Sequence, residues 1–141
     1  MIAKNTLFAT ILRENGSSVT ASRKAVFTAL EVGEPLGMNE LVQRCPGIDR
    51  ASVYRSVALF EELGIVRRLY SGWKYKIELS DRFGNHHHHA TCSSCGRVVP
   101  LEEDSELEES LRRIAERHAF TITGHEIELT GICEECKKRI A

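Results

Sequence analysis

The architecture of the N-terminal half is set by residues 49–79, which read DRASVYRSVALFEELGIVRRLYSGWKYKIEL. Asp49 is a favoured N-cap residue, and Gly64 stands where a left-handed residue commonly ends a helix. Between them, apolar residues recur at helical spacing and must face a core. These residues are Val53, Val57, Phe60 and Leu63. Two short β-prone runs then flank the turn-like Ser71-Gly72, so the segment predicts a helix followed by a β-hairpin.

Shorter helical patterns precede this segment. Residues 4–14 place apolar side chains on one face, and Thr20 is a good N-cap for a helix that runs to about residue 32. A short helix is predicted over 38–44, and Pro46-Gly47 stops the chain from continuing it. Helices that end in a hairpin are the pattern of a winged helix-turn-helix domain.

The composition is that of an ordinary globular protein, with 141 residues of which 42% are hydrophobic and 28% charged. No apolar run approaches the length of about 18 residues that crosses a membrane, so no membrane partner is expected. The N-terminus lacks an apolar core with a small-residue cleavage site, and we therefore expect a cytoplasmic protein. Residues 1–80 carry 11 Lys and Arg against 8 Asp and Glu, whereas residues 81–141 carry 8 against 12. This asymmetry suits a nucleic-acid reader joined to a second domain.

A polar stretch with one glycine marks the expected domain boundary. The expected segments are a winged-helix DNA-binding domain at 1–80, a linker at 81–85 and a metal-binding dimerisation domain at 86–141. In the second domain, apolar residues at helical spacing predict an amphipathic helix over 105–118. Residues 120–131 alternate as one strand, and Gly124, where the alternation changes phase, predicts a bulge.

Two C-x-x-C pairs, Cys92 with Cys95 and Cys133 with Cys136, stand 37 residues apart. In a reducing compartment, paired cysteines hold a metal more often than they form disulfides. Two independent redox pairs are the alternative, but neither follows a strand in a βαβ unit as a thioredoxin-like motif would. Four thiolates complete a closed tetrahedral shell and leave no open position for catalysis, which indicates structural zinc. Cys45 stands alone in a predicted helix and is expected to be a small buried residue.

Four consecutive histidines, His86, His87, His88 and His89, precede the first cysteine pair. In an extended segment alternate side chains point to opposite sides, so the first and third can serve one metal site and the second and fourth another. An exposed histidine-rich loop or a purification tag is the simpler alternative. The candidate partners are Glu108, His125, Glu78 and Asp81. His118, at a helix end, is expected to interact with the helix dipole instead.

The hairpin after a helix, the Ser52-Val53-Tyr54-Arg55 stretch, the histidine run and the two cysteine pairs together resemble the ferric uptake regulator (Fur) family. The resemblance runs in the family's order from Leu7 to Lys138. It implies an α+β fold, with an N-terminal winged helix-turn-helix domain followed by a small α/β dimerisation domain with a structural zinc site. It also implies a homodimer that binds a palindromic double-stranded DNA operator when loaded with metal. The four paired cysteines match the family's structural zinc ligands.

The resemblance implies two further metal sites. The ligands of sensor site one would be His86, His88, Glu108 and His125. His88 stands where many iron-responsive members have aspartate, which is nearer to the zinc-uptake regulators. The ligands of an interdomain site would be His87, His89, Glu78, Asp81 and Glu34. In that site the family's N-terminal ligand falls at Pro35, which cannot bind a metal, and no cysteine precedes the histidines as in the zinc-type version. The composition of the two sites therefore gives opposing indications of the sensed metal.

The predicted reading helix presents one face to the DNA major groove and packs the other. The residues opposite its core side are Ser52, Tyr54, Arg55 and Ser56. The resemblance assigns DNA contacts to Tyr54 and Arg55. Arg50 is a candidate phosphate anchor, whereas Arg23 is either a second anchor or an ordinary surface residue. Ser17 and Ser18 stand where the family often has a minor-groove lysine.

The resemblance implies a metal-dependent transcriptional repressor of metal-homeostasis genes, with zinc favoured over iron or manganese as the sensed metal. Its cofactors would be a structural Zn²⁺ and a regulatory Zn²⁺, Fe²⁺ or Mn²⁺. An enzyme is not expected, because the His-x-Glu of zinc deaminases and the His-Glu-x-x-His of metalloproteases do not occur. A zinc-stapled DNA-binding or interaction module without sensing is the open alternative.

Overall fold

The computed structural model describes residues 3–71, 73–84 and 86–140. The chain forms two compact units, Met1–Asn85 and His86–Ala141, which are treated separately below. Gly72 of the predicted turn and Asn85 of the predicted linker lie outside the described residues. Within the described residues, no helix is both long and apolar enough to cross a membrane.

Unit one is a helical domain with a two-stranded hairpin. Its elements are α1 (Lys4–Glu14), α2 (Ala21–Leu30), α3 (Met38–Gln43), α4 (Arg50–Glu62), β1 (Val66–Ser71) and β2 (Lys74–Leu79). The predicted caps explain where α2 and α4 begin. The Thr20 side chain accepts a hydrogen bond from the Arg23 amide, and the Asp49 side chain accepts one from the Ser52 amide. Gly64 has φ 71°, which lets the chain leave α4 and enter the hairpin. The β1 and β2 strands pair antiparallel, and the predicted winged helix-turn-helix is confirmed.

Aromatic packing organises the core of unit one. The rings of Phe8 and Phe27 stack with centroids 4.2 Å apart, and Phe60 lies edge-on to Phe8 at 5.3 Å. Cys45 is buried in the same core, but it lies beyond the end of α3 and not inside a helix as expected. The helix predicted to read DNA, α4, therefore packs its buried side against this aromatic core.

The predicted linker is structured where it leaves unit one. Asp81–Phe83 forms a short 3₁₀ helix, and Phe83 is buried against Phe27 with ring centroids 5.2 Å apart. An aromatic ring of this size gains more free energy from burial than from remaining in a solvated connection. The first part of the predicted linker therefore belongs to the core of unit one.

Unit two contains a small mixed sheet and two helices. Its elements are β3 (His88–Cys92), β4 (Val98–Leu101), α5 (Ser105–Arg117), β5 (Glu128–Gly131) and α6 (Glu134–Ile140). The strand order is β4-β3-β5, with β3 and β4 antiparallel and β3 and β5 parallel. Asp104 caps α5 by accepting from the amides of Glu106 and Leu107. The predicted α+β fold class is confirmed.

Two expectations for unit two were wrong or incomplete. Only the last part of the predicted strand over 120–131 is a strand, and no bulge lies at Gly124. The physical reason is pairing: β5 begins opposite His89, and β3 starts only at His88, so the earlier residues have no β3 partner. The sequence pattern also gave no indication of β4 and α6.

Few apolar side chains are buried in unit two. Among its described residues, the buried hydrophobic ones are Cys92, Ala115 and Cys136. Large apolar side chains lie instead at the surface, namely Leu107, Ile114, Phe120, Leu129, Ile132 and Ile140. A domain with so little buried apolar surface needs another source of stability, such as a metal or a second subunit.

Candidate metal centres and nucleic-acid interface

The four paired cysteines converge at one end of the unit two sheet. Cys92 ends β3, Cys95 lies on the following turn, Cys133 follows β5, and Cys136 lies on α6. Their four sulfur atoms all lie within 4.8 Å of one another. Parallel pairing of β3 with β5 explains the convergence, because it aligns Cys92 with Gly131, two residues before Cys133. The predicted ligands of the structural zinc are thus brought together.

The electrostatics of this cysteine cluster favour a thiolate. Hydrogen bonds from the backbone amides of Cys133 and Cys95 lower the pKa of the Cys92 thiol to about 6, although burial opposes the shift. The Cys133 amide lies 3.3 Å from the Cys92 sulfur. A side-chain hydrogen bond with the adjoining Cys133 raises the pKa of Cys136 to about 12, so this thiol keeps its proton. A divalent cation would supply the missing positive charge, and four sulfurs fit zinc.

A second cluster, formed by His86, His88, Glu108 and His125, lies elsewhere in unit two, and one ligand atom from each lies within 4.8 Å of the others. The Glu108 carboxylate is its centre. His88 Nε2 is 2.8 Å from Glu108 Oε1, and His125 Nε2 is 2.7 Å from Oε2. His86 Nε2 is 3.3 Å from the carboxylate and 3.1 Å from His125 Nε2. The predicted residues of sensor site one are thus brought together.

Three separate segments build this histidine–glutamate cluster. His86 and His88 come from β3 and the residues before it, Glu108 from the first turns of α5, and His125 from the stretch before β5. Burial of Glu108 acts to raise its pKa, but hydrogen bonds from His88 and His125 outweigh it and hold the pKa below its ordinary value. The carboxylate is therefore ionised at neutral pH. Three imidazole nitrogens around an ionised carboxylate fit a borderline divalent metal such as zinc or iron(II).

The exposed side of α4 carries two hydrogen-bonded groups. In the first, the Arg50 guanidinium donates to the side-chain oxygen of Asn39 at 3.0 Å and lies 3.5 Å from the Tyr54 hydroxyl. In the second, the Ser52 hydroxyl donates to Asp49 at 2.6 Å and accepts from Arg55 at 3.0 Å. Asn39 was not identified from the sequence, because a single asparagine on a short helix carries no motif.

Two residues lie differently from expectation: Ser56, which was expected on the exposed face of α4, and Arg23, which was considered as a phosphate anchor. Ser56 is buried, because it lies three residues after Val53 on the core side of the helix. The Arg23 guanidinium donates to the Ser18 carbonyl at 2.6 Å, so it ties α2 to the preceding loop. Tyr54, by contrast, keeps 41% of its surface exposed.

Comparison with known proteins decides the family. A sequence model of the ferric uptake regulator family matches residues 14–130. The chain belongs to the ferric uptake regulator family. A ferric uptake regulation protein of Legionella pneumophila is 37% identical over 118 residues, which is 82% of this chain and 76% of that protein. One of Campylobacter upsaliensis is 36% identical over 143 residues, 94% of this chain and 88% of that protein.

A solved relative supports the same assignment. The crystal structure of the Vibrio cholerae ferric uptake regulator superposes with a TM-score of 0.74 at 29% identity, covering 89% of this chain and 99% of that one. The predicted family is therefore confirmed. This Fur-family chain is a metal-responsive transcription regulator. The family is one of regulators and not of enzymes.

The remaining predicted ligands of this Fur-family chain lie in both units. In unit two, the rings of His87 and His89 lie 4.7 Å apart. In unit one, Arg67 binds Glu78 at 2.7 Å and Asp81 at 3.2 Å. The isolated bridge between Leu36 and Ile77 places Pro35 opposite Glu78 in register, and Glu34 lies in the exposed bend before it. The interdomain site stays a prediction.

Proposed function

We propose that this Fur-family chain is a homodimeric, metal-dependent repressor that binds palindromic operators of metal-homeostasis genes in the cytoplasm. The regulatory metal would be held by His86, His88, Glu108 and His125. The observation that carries the proposal is the convergence of these four side chains from three separate segments of unit two. An exposed histidine loop would not be expected to concentrate its nitrogens around one carboxylate.

The arrangement gives a physical reason for a response to metal. Glu108 links α5 to the β3 region through contacts of 2.8 Å with His88 and 3.3 Å with His86. A bound cation would supply positive charge where the carboxylate and the imidazole nitrogens meet, and would favour the conformers that hold α5 in this place. A ligand shifts a conformational equilibrium only by its preference for one state, and ligands on separate segments provide that preference.

Zinc is the metal we favour for this site. Three imidazole nitrogens suit zinc, and affinities at such sites generally rise from manganese through iron to zinc. The names of the Legionella and Campylobacter relatives point instead to iron. We propose the cysteine cluster as a structural zinc site, because a closed shell of four thiolates leaves no position that responds to changing supply.

Homodimerisation would account for the exposed apolar residues of unit two. Leu129 is 54% exposed on β5, and Ile114 is 45% exposed on α5. Contacts with a second copy would remove this surface from water, at a gain of about 25 cal/mol per Å². A two-fold dimer presents two reading helices in symmetric positions, which matches a palindromic operator.

The test is operator affinity measured against free metal. A duplex is first selected by the zinc-loaded wild-type protein from a randomised library, and its affinity is then titrated with zinc, iron(II) and manganese(II) in turn. We expect His125→Ala to require at least about tenfold more zinc for half-maximal binding, because it removes one of four ligands. His118→Ala is the matched control, since His118 is a unit two histidine at the end of α5 and outside the cluster.

Three outcomes would contradict parts of the proposal. A response to iron(II) alone would refute zinc sensing. Equal metal dependence in the His125→Ala and His118→Ala variants would refute the assignment of the site. Selective operator binding that needs only the structural zinc would favour the module without sensing. The interdomain prediction is tested separately by the His87→Ala plus His89→Ala variant, in which unchanged metal dependence would refute a regulatory role for those two histidines.

A further inference from the structure

Asn39, Arg50 and Tyr54 form a polar cluster where α3 meets α4. Asn39 is an exposed residue in the first turn of α3, Arg50 is the first residue of α4, and Tyr54 lies one turn further along α4. One guanidinium nitrogen of Arg50 lies 3.0 Å from the Asn39 oxygen and 3.5 Å from the Tyr54 hydroxyl. The guanidinium carbon lies 5.9 Å from the Tyr54 ring centroid. Arg50 is thus held on two sides.

The donor and acceptor chemistry of Asn39, Arg50 and Tyr54 determines which hydrogen-bond donors point away from the cluster. A guanidinium group has donors only, so Asn39 must turn its carbonyl oxygen toward Arg50 and its NH₂ group away. The Tyr54 oxygen likewise accepts from Arg50, which leaves its own hydrogen for another acceptor. The remaining guanidinium N–H groups of Arg50 are donors as well. The cluster therefore presents several donors and one positive charge.

The neighbouring acid, Asp49, forms its hydrogen bonds with Ser52. Asp49 is the nearest acidic residue in sequence to Arg50, and its carboxylate accepts from the Ser52 amide and the Ser52 hydroxyl. These bonds hold the pKa of Asp49 below its ordinary value, with a smaller effect of the positive charge of Arg55. The Asp49 carboxylate thus caps the N-terminus of α4 through both of its oxygens. A ligand with several acceptor oxygens and a negative charge fits the cluster, which describes a backbone phosphate.

We propose that Asn39, together with Arg50 and Tyr54, binds one backbone phosphate of the operator, so that α3 takes part directly in DNA binding. The proposal rests on the proposed function, since it assumes that α4 enters the major groove. Asn39 has two roles in it: its oxygen aims Arg50, and its NH₂ group contacts the same phosphate. Because the guanidinium is already oriented, less side-chain entropy is lost on binding.

The experiment compares variants of the full-length, zinc-loaded protein on the duplex that the wild-type protein selects. Affinity is measured over a range of salt concentrations for Asn39→Ala, Arg50→Ala and the double variant. We expect Asn39→Ala to weaken binding about tenfold, and Arg50→Ala to reduce the slope of log affinity against log salt by about 1. The loss of affinity in the double variant should be smaller than the product of the two single losses, because Asn39 orients Arg50 as well as contacting the same phosphate.

Asn39→Asp distinguishes phosphate contact from positioning alone. Aspartate keeps the oxygen that Arg50 binds, but it places a negative charge beside the phosphate. We expect Asn39→Asp to bind more weakly than Asn39→Ala, with the difference shrinking as salt increases. Gln43→Ala is the matched control, because Gln43 is an exposed amide at the other end of α3. It should bind as the wild type does.

The outcomes separate this inference from the proposed function. If the zinc-loaded wild-type protein selects no duplex, the proposed function fails and the inference falls with it. If it selects one, three results would each overturn the inference alone. The first is wild-type affinity for Asn39→Ala, and the second is a double-variant loss of affinity equal to the product of the two single losses. The third is stronger binding by Asn39→Asp than by Asn39→Ala. Thermal midpoints close to the wild-type value would establish that the variants are folded.

Discussion

Replacing Cys136 by serine removes a buried sulfur from the cysteine cluster of unit two. Cys136 lies on α6 and is 4% exposed, and its sulfur lies within 4.8 Å of the three others. Serine has nearly the same size, so packing changes little, but its hydroxyl is a poor zinc ligand. The variant therefore tests whether unit two depends on a complete set of four thiolates for holding zinc.

The expected loss is larger than unit two can tolerate. Structural zinc contributes about 10–16 kcal/mol in small zinc domains, whereas whole domains are stable by only about 5–15 kcal/mol. Of the three described apolar residues buried in unit two, two are members of the cysteine cluster. We therefore expect unit two of Cys136→Ser to unfold at room temperature while unit one, with its own aromatic core, remains folded.

Hydrogen exchange read by mass spectrometry resolves the two units. In Cys136→Ser, peptides from α5 (13 residues) and α6 (7 residues) should lose protection, and those from α4 should keep it. Cys45→Ala is the control, because Cys45 is buried in unit one and its thiol pKa is raised by that burial alone. It should keep its full zinc content and lose about 1 kcal/mol of unit one stability. Wild-type protection of α6 in Cys136→Ser would refute the reasoning.

Three further predictions address the caps, the core and the interface. Hydrogen bonds from Ser52 lower the pKa of Asp49 from its ordinary value of 3.8. The Asp49 cap should therefore stabilise α4 fully above pH 3.8 and lose this effect as the pH falls through the lowered pKa. The stability difference between wild type and Asp49→Ala, followed by circular dichroism, should then vanish in strong acid. Phe83→Ala should destabilise unit one by about 3–5 kcal/mol in urea, whereas Trp73→Ala, at an 87% exposed position, should not. Leu129→Glu should shift the protein toward monomer in analytical ultracentrifugation, and an unchanged dimer would exclude β5 from the interface.

Much of unit one could be predicted from the sequence, because short-range signals define its helices and its hairpin. The cap residues Thr20 and Asp49, the left-handed Gly64 and the spacing of apolar residues each act within a few positions of the element they define. The burial of Phe83 could not be predicted, because no such local signal marks it. A single aromatic residue in a polar stretch has no periodic neighbours, so only the folded core reveals that it belongs there.

Unit two was less predictable because its order depends on distant partners. The strand predicted over 120–131 alternates correctly, yet alternation describes only side-chain faces, and a strand also needs a neighbour to pair with. The two candidate ligand clusters were easier to anticipate than the elements that carry them. The spacing of the cysteines indicated one cluster, and the family resemblance added Glu108 and His125 to the histidines of the other. The elements β4 and α6 have too few residues for a periodic signal.

The weak packing of α5 provides a reason for the position of the candidate sensor site. Ala115 is the one buried residue of this described helix, and its apolar side chains Leu107 and Ile114 lie exposed. Glu108 adds polar contacts to His86 and His88 that connect this weakly packed helix to the β3 region. Elements that move in regulation come from the least stable part of a protein, because a ligand can then change their population. A metal bound at Glu108 should accordingly slow hydrogen exchange in α5 and leave exchange in α4 unchanged. Equal slowing in both helices would mean that the metal stabilises the whole chain, without selecting a conformation of unit two.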